Sequence, residues 1–287
     1  RVCAVTAAMQ EGTGLTEFAK AYPRRFFDVG IAEGHAVSMA GGMAKQGLVP
    51  VFAVYSSFLQ RGYDQLMQDV ALDGLHVVLG VDRAGLVGAD GETHHGCFDA
   101  LYLAQVPHMT VLCPASFAEL RQMLRRAVLE LTGPVAVRYP RGGEGAYRGC
   151  CGDETFTELR QGDGCTILTY GILINEALAA AELLHQAGIE ARVVKLNAIA
   201  PLRNEEVLAA LGHEKRLLVL EDCVGSGCVG QRLTAILAQQ GCAPDKLFLK
   251  NLGDTIPCHG SVPQLYAQCG LDAESVAAAL KEACHEQ

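Results

Sequence analysis

The sequence lacks the features that mark a nucleic-acid-binding or membrane-spanning protein. Its 23 Lys and Arg stand against 32 Asp and Glu, which gives a formal net charge of −9, and no basic run offsets that charge. A nucleic-acid surface needs clustered positive charge. Nothing approaches the roughly 18 consecutive apolar residues of a membrane-spanning helix. We therefore expect no nucleic-acid partner and no membrane partner.

A secretory signal and paired cysteines are also missing. The N-terminus, Arg1-Val-Cys-Ala-Val5, has no charged, apolar and small segments in succession. The 12 cysteines are scattered without a C-x-x-C pair, the spacing that structural zinc prefers. We expect a cytoplasmic protein with reduced, mostly buried thiols. The chain also lacks an initiator Met and starts inside a predicted strand, so we expect an N-terminal half that was truncated, proteolysed or made as a separate polypeptide.

What is present is enough apolar sequence for two domains. Of the 287 residues, 50% are hydrophobic, and about 150 residues per domain predicts two domains. Apolar strands alternate with helices in both halves, a pattern that predicts α/β domains, each a mostly parallel sheet flanked by helices. A segment rich in glycine and charge interrupts the alternation and is interpreted as a linker. The predicted division is a domain over 1–145, a linker over 146–163 and a smaller domain over 164–287.

Candidate site residues of the first domain follow predicted strands or open helices. Ligands of open parallel sheets bind at the carboxyl ends of the strands. Glu33 opens an apolar helix, where burial favours the protonated carboxyl and suits proton transfer near neutral pH. The alternative is a glutamate that only favours the helix dipole. Tyr55, Phe58 and Arg61 lie three residues apart at the next helix start, so they share one face, and an aromatic there can stack on a flat ring.

A long loop over 82–96 carries four glycines, Arg83, Asp90 and His94. Loops of that length in compact domains are usually functional, and a solvated loop with turn glycines is the alternative. Arg141 follows the fifth predicted strand. Its guanidinium offers a bidentate fork to phosphate or carboxylate, and a surface ion pair is the alternative.

Four motifs occur in order along the first domain: Asp28-Val-Gly-Ile-Ala-Glu33-x-His35, Tyr55-Ser-x-Phe58-Leu-Gln-Arg61, Asp82-Arg83-Ala-Gly continuing to Asp90 and His94, and Arg138-Tyr-Pro-Arg141-Gly. Together they resemble the pyrimidine-binding domain of 1-deoxy-D-xylulose-5-phosphate synthases, thiamine-diphosphate enzymes of the transketolase superfamily. The rest of the chain resembles their C-terminal domain more weakly. The 82–96 loop distinguishes these synthases from other members of the superfamily. Transketolases and the beta subunits of 2-oxo-acid dehydrogenases share the glutamate helix but are not expected to share this loop.

The resemblance implies a transferase that condenses pyruvate with glyceraldehyde 3-phosphate with loss of carbon dioxide, for isoprenoid and thiamine precursor synthesis. It implies that Glu33 is catalytic and hydrogen-bonds the aminopyrimidine ring of thiamine diphosphate. Phe58 would stack on that ring, Arg61 would support Phe58, and Tyr55 would lie close to the cofactor.

The resemblance also implies an acceptor site. Tyr55, Arg83 and Arg141 would face glyceraldehyde 3-phosphate and its phosphate group. Asp90 and His94 would act near the acceptor in proton transfer or positioning. It further implies a homodimer.

Two departures from the family pattern concern the cofactor. Gly34 stands where the family pattern has Gln, which removes a possible hydrogen bond beside Glu33. The superfamily binds diphosphate and Mg²⁺ on an N-terminal domain, through Gly-Asp-Gly and an Asn some distance on. Here Gly162-Asp163-Gly164 lies at the predicted linker with no Asn at that distance and is interpreted as a turn. We expect no metal site on this chain, which should be inactive alone.

Other interpretations stay open at this point. The chain is alternatively a non-catalytic dimerisation or regulatory module, or half of a transketolase-like enzyme with a different acceptor. In the second domain, Glu221-Asp222 precedes a glycine-rich turn, where close helix–strand packing at a dimer interface competes with anion binding. His259-Gly-Ser261 matches the family's C-terminal region, but the sequence assigns it no chemical role.

Overall fold

The computed structural model describes residues 1–150 and 152–285. Its strands in chain order are β1 (Val2–Thr6), β2 (Phe26–Asp28), β3 (Val49–Tyr55), β4 (Val78–Asp82), β5 (Thr110–Leu112), β6 (Val135–Arg138), β7 (Phe156–Arg160), β8 (Cys165–Tyr170), β9 (Ala191–Leu196), β10 (Ala198–Ala200), β11 (Arg216–Leu220) and β12 (Lys246–Lys250). The helices are α1 (Thr16–Ala21), α2 (Glu33–Lys45), α3 (Ser56–Leu59), α4 (Tyr63–Gln65), α5 (Asp99–Leu103), α6 (Phe117–Leu129), α7 (Ile174–Gln186), α8 (Asn204–Leu211), α9 (Val229–Gln239), α10 (Val262–Cys269) and α11 (Ala273–His285).

The strands form two mostly parallel sheets. The first has the order β10-β5-β6-β4-β3-β1-β2, and the second has the order β12-β11-β8-β9-β7. Among the strands of the described residues, the pairs β10–β5 and β7–β9 are antiparallel and the other pairs are parallel. The central strands are apolar runs buried on both faces, as in β8, where all six residues are buried, because helices cover both sides of a parallel sheet. The predicted fold class, two α/β domains, is confirmed.

The predicted linker over 146–163 was wrong in one respect. Residues 156–160 form β7, which pairs antiparallel with β9 at the edge of the second sheet. Its sequence, Phe-Thr-Glu-Leu-Arg, leaves every residue at least partly exposed, so it lacks the apolar run of a central strand. The pairing with β9 is more than 30 residues away along the chain and leaves no local signal.

The helical segment that follows β3, from Ser56 to Ala71, is not one continuous α-helix. It is divided into α3, a 3₁₀ turn over Gln60–Gly62, α4 and a π-helical turn over Leu66–Ala71. Such departures from the α-helix often occur at functional sites. This region carries Phe58 and Arg61.

The two halves of the chain are joined by buried contacts. β10, which follows β9, completes the first sheet by pairing with β5. Lys195 of β9 and Glu119 of α6 are both fully buried and form an ion pair at 3.0 Å. Within the described residues, no helix combines the length and the apolar character needed to cross a membrane.

Candidate active site

The structure brings all eight predicted site residues into one line of contacts at the carboxyl edge of the first sheet. β3 ends at Tyr55 and β4 ends just before Arg83. Glu33 is the first residue of α2, which follows β2 along the chain. The order of contacts along the line is Glu33, Arg61, Phe58, then Tyr55 and His94, then Arg83, Asp90 and Arg141. The roles of these residues remain predictions.

One end of the line is a buried carboxylate. Glu33 is only 3% exposed although it is the first residue of α2. Its Oε1 accepts a hydrogen bond from Arg61 Nη1 at 2.6 Å, while the Arg61 side chain is 56% exposed. A buried carboxylate needs a partner, because an unpaired charge in a low-dielectric site is costly. Arg61 supplies that partner from the solvent side.

The middle of the line is aromatic. The Phe58 ring lies 5.7 Å from the Tyr55 ring and 5.2 Å edge-on from His94, measured between centroids. The Arg61 guanidinium lies 5.1 Å from the Phe58 centroid. Burial, and then the positive charge of Arg83, lower the pKa of His94 below its ordinary value. His94 is therefore neutral at pH 7 and able to accept a proton.

The other end of the line carries two arginines that share one carboxylate. Arg83 donates to the Tyr55 hydroxyl at 2.9 Å and stacks 3.9 Å from that ring's centroid. It also forms an ion pair with Asp90, whose Oδ2 lies 3.3 Å from Arg141 Nε. Two guanidinium groups converging on one point provide the bidentate donors that phosphate binding uses.

Asp82 is a residue of this end that the sequence analysis left without a role. Its Oδ1 accepts the backbone N–H of Arg83 at 2.6 Å. That bond holds Arg83 in the left-handed region, at φ of 60°, a conformation that a non-glycine residue rarely adopts. Burial raises the pKa of Asp82 to about 6. Its place in the Asp82-Arg83 motif was visible in the sequence, but its contact with the backbone was not.

A cleft of about 340 Å³ opens beside the arginine end. Asp82, Arg83 and Arg141 line it together with the Gly12–Gly14 loop and the start of α6 at Phe117. A side chain on Gly12 would collide with the Tyr55 hydroxyl, so it would have to displace the Tyr55 ring from its present position. Glu33, at the other end of the line of contacts, does not line the cleft.

A second missed group lies beneath the site. Arg138, the last residue of β6, is buried and holds Asp99 through bonds of 2.9 and 3.1 Å. Asp222, from the second half of the chain, lies 3.8 Å from the same guanidinium. Its carboxylate occupies the space that a Cβ on Gly85 would need. Arg138 was visible in a motif, but its two distant partners left no signal in the sequence.

Glu221 takes a structural role at the start of α9. Its carboxylate accepts the N–H groups of Val229 at 2.9 Å and Gly230 at 2.8 Å, and the Tyr170 hydroxyl at 3.0 Å. A carboxylate at a helix N-terminus satisfies free donors and favours the helix dipole. A Cβ on Gly230 would lie 2.6 Å from a Leu249 methyl group. Close helix–strand packing therefore explains this turn, and Glu221 itself fills the position that an external anion would take.

Gly34 and the Gly162-Asp163-Gly164 turn, the two places where the sequence departs from the family pattern, are closely packed. A Cβ on Gly34 would lie 3.2 Å from the side-chain amide of Gln65, so this amide packs against the position of the missing side chain. Gly162-Asp163-Gly164 connects β7 to β8, and a Cβ on Gly162 would lie 2.5 Å from the Ala191 backbone. In residues 1–150 and 152–285, no cluster of three or more His, Cys, Asp or Glu could hold a metal ion.

Comparison with known proteins defines the class. Residues 1–143 match the transketolase pyrimidine-binding domain, and residues 155–276 match the transketolase C-terminal domain. A solved structure described as a split-gene transketolase, inactive beta4 tetramer, aligns with a TM-score of 0.85 at 26% identity, over 99% of this chain and 92% of that one. A transketolase from Pichia stipitis has the same fold, with a TM-score of 0.81 at 17% identity over 99% of this chain and 43% of that one. The fold and the matches are those of a transketolase-type protein.

The closer resemblance is to one branch of that class. A 1-deoxy-D-xylulose-5-phosphate synthase from Heliobacterium modesticaldum is 44% identical over 98% of this chain and 44% of its own length. The corresponding protein from Chlorobium luteolum is 43% identical over 98% of this chain and 45% of its own length. The chain consists of a transketolase pyrimidine-binding domain and a transketolase C-terminal domain. It is 43% to 44% identical to 1-deoxy-D-xylulose-5-phosphate synthases and spans less than half the length of these relatives.

Proposed function

We propose that this chain is the acid–base and acceptor-binding part of a thiamine-diphosphate-dependent 1-deoxy-D-xylulose-5-phosphate synthase. The reaction condenses pyruvate with glyceraldehyde 3-phosphate and releases carbon dioxide. One observation carries the proposal: a continuous line of contacts runs from the buried carboxylate of Glu33 to the paired guanidinium groups of Arg83 and Arg141. A scaffold needs neither the buried acid nor the converging arginines.

The residues at the Glu33 end fit the pyrimidine ring of thiamine diphosphate. The cofactor, when bound, supplies the nucleophilic carbon and electron sink for decarboxylating a 2-oxo acid. The buried Glu33 carboxylate matches a ring nitrogen that must be hydrogen-bonded and protonated, and Phe58 offers a flat wall for the ring. Arg61 orients the carboxylate through its 2.6 Å bond. Glu33 is the group that would hold the proton.

The residues at the arginine end fit a phosphorylated aldehyde. Arg83 and Arg141 would bind the phosphate, and the Asp90 carboxylate between them keeps both guanidinium groups in place. His94 is neutral because its pKa is lowered, so its ring can take or return a proton at the acceptor oxygen. Tyr55 lies between the two ends of the line and contacts both Phe58 and Arg83.

The diphosphate and Mg²⁺ would be bound by a segment outside this chain. The relatives are about twice as long, since the chain spans 44% to 45% of them. A precedent for two polypeptides is the split-gene transketolase, whose solved chain is covered over 92% of its length and is described as inactive. We propose that the present chain likewise works only with a diphosphate-binding half, in a complex that contains two copies of each.

The test is synthesis of 1-deoxy-D-xylulose 5-phosphate by the chain combined with the diphosphate-binding half of a relative. We expect activity from the complex, none from the chain alone, and a loss of about 10²–10⁴-fold in kcat for Glu33→Gln. Glu17→Gln changes an exposed glutamate of α1 that pairs with Lys20, and this matched control should retain full rate. Turnover by the chain alone, or an active Glu33→Gln complex, would refute the proposal. Preference for another aldehyde would assign a different acceptor.

A further inference from the structure

The loop that carries Asp90 and His94 is held in place by a segment of the second half of the chain. His259 Nε2 lies 3.2 Å from the carbonyl oxygen of Ala89. Ala89 is the middle residue of the 3₁₀ turn Gly88–Asp90. The contact joins two residues 170 positions apart, directly beside the carboxylate that lies between the arginines.

Glycines make this contact possible from both sides. Gly88 has φ of 67°, and a Cβ there would lie 3.1 Å from the Gly260 carbonyl oxygen. Gly91 has φ of 81°, and a Cβ there would lie 3.5 Å from His259 Cδ2. A side chain at Gly88 would crowd the Gly260 backbone, one at Gly91 would contact the His259 ring, and at both positions the left-handed backbone disfavours a side chain. The loop and the 257–262 segment therefore fit each other backbone to backbone.

The chemistry of the contact fixes the donor. A carbonyl oxygen only accepts, so His259 must carry a proton on Nε2. Both the Nε2–H tautomer and the imidazolium ion meet that requirement.

We infer that His259 is a positioning residue, which fixes the Gly88–Asp90 turn and through it the Asp90 carboxylate between Arg83 and Arg141. The inference rests on the proposed function for its catalytic consequence. It assigns the His259-Gly-Ser261 motif a role: the second half of the chain shapes the acceptor end of the site. In this role His259 acts through the turn and not on the acceptor directly.

The structural test is hydrogen exchange, followed by mass spectrometry, on the full chain. His259→Ala should speed exchange about tenfold at the amides of Gly91 and His94, whose N–H groups bond to Gly88 O and Gly91 O at 2.9 and 3.1 Å. His259→Gln places an amide N–H near the position of Nε2 and should restore protection. His185→Ala removes an exposed histidine whose bond is to Glu190, and it should leave the loop unchanged. Unchanged exchange in His259→Ala, or no rescue by Gln, would overturn the inference.

The kinetic test uses the complex of this chain with a diphosphate-binding half. His259→Ala should raise KM for glyceraldehyde 3-phosphate about five- to tenfold, the effect of roughly one hydrogen bond, and leave KM for pyruvate within twofold. His259→Gln should recover most of the loss. Equal effects on both KM values would overturn the positioning role. If the unmodified complex makes no product, the proposed function fails while the exchange experiment still decides whether His259 holds the loop.

Discussion

The ionisation of Asp82 links the acceptor cleft to the stability of the chain. Burial raises its pKa from 3.8 to about 6, against the opposing effects of the Arg83 N–H and of the charges of Arg83 and Arg141. Between those two values the folded chain keeps a proton that the unfolded chain has lost. The free energy of unfolding therefore falls as pH rises from about 4 to about 6. Above that range the ionised carboxylate remains a cost that the fold accepts in order to hold Arg83.

Asp82→Asn should remove this pH dependence. The amide oxygen still accepts the Arg83 N–H, but it carries no charge to bury. Relative to the parent chain, the variant should gain up to about 3 kcal/mol in the free energy of unfolding on going from pH 4 to pH 7. Urea denaturation at the two pH values measures the gain. Asp163→Asn, an exposed aspartate, is the control, and an equal effect of Asp82→Asn at both pH values would contradict the argument.

His94 provides a second test at this scale. Burial and the charge of Arg83 both lower its pKa. Arg83→Met removes the charge and loosens the packing, so the pKa of His94 should rise toward its ordinary value. NMR titration of the histidine ring measures the shift. Arg141→Met removes a charge that is not among the causes of the lowered pKa of His94. It should therefore change this pKa less than Arg83→Met does. A larger effect of Arg141→Met would contradict the assignment of the charge effect on the pKa of His94 to Arg83.

At the scale of elements, hydrophobic patterning predicts the central strands and their helices well. β8, whose six residues are all buried, is an example. The same patterning gives no signal for β2 and α1. β2 has only three residues, and two of them are exposed. α1 buries none of its residues. Elements at the edges of a domain bury too little apolar surface to leave a periodic signal.

The buried group at the end of β6 joins three elements. Arg138 faces Asp99 at the start of α5 and Asp222 after β11. The desolvation of Asp222 raises its pKa, which the charge of Arg138 opposes. One guanidinium thus balances two carboxylates in a site from which water is excluded.

Arg138→Met should therefore destabilise the chain by about 3–5 kcal/mol, because it leaves two buried carboxyl groups without their cation. The loss should be smaller at pH 4 than at pH 7, since protonation of the carboxyl groups relieves it. Adding Asp99→Asn to Arg138→Met should recover part of the loss. Chemical denaturation at both pH values tests this, and a loss independent of pH would show that packing rather than charge is responsible.

At the scale of the whole molecule, the site could be predicted from the sequence only in part. Glu33, Phe58 and the arginines lie in short motifs, where local spacing carries the signal. The groups that hold them in place come from the other half of the chain: Asp222 against Gly85, and His259 against Ala89. Contacts between residues more than 100 positions apart leave no periodic trace in a single sequence.

A fully buried ion pair, between Lys195 and Glu119, links the two halves of the chain. Both side chains are fully buried, and Glu119 also accepts the Ala115 N–H and the Tyr147 hydroxyl, each at 2.8 Å. α6 and β9 thus share one charge pair, close to where β10 enters the first sheet. Because of this pair and the shared strand, we expect the two sheets to unfold together.

Lys195→Met should cost about 3–5 kcal/mol in the free energy of unfolding, because it leaves the Glu119 carboxylate buried without its cation. It should also replace the single thermal transition expected of the parent chain by two, one for each sheet. Adding Glu119→Gln removes the stranded charge while keeping an acceptor for Ala115 and Tyr147, and it should recover most of the stability and the single transition. Differential scanning calorimetry measures both effects. If the double variant unfolded in two steps like Lys195→Met, the shared strand and the surrounding packing would be too weak to couple the halves without the ion pair.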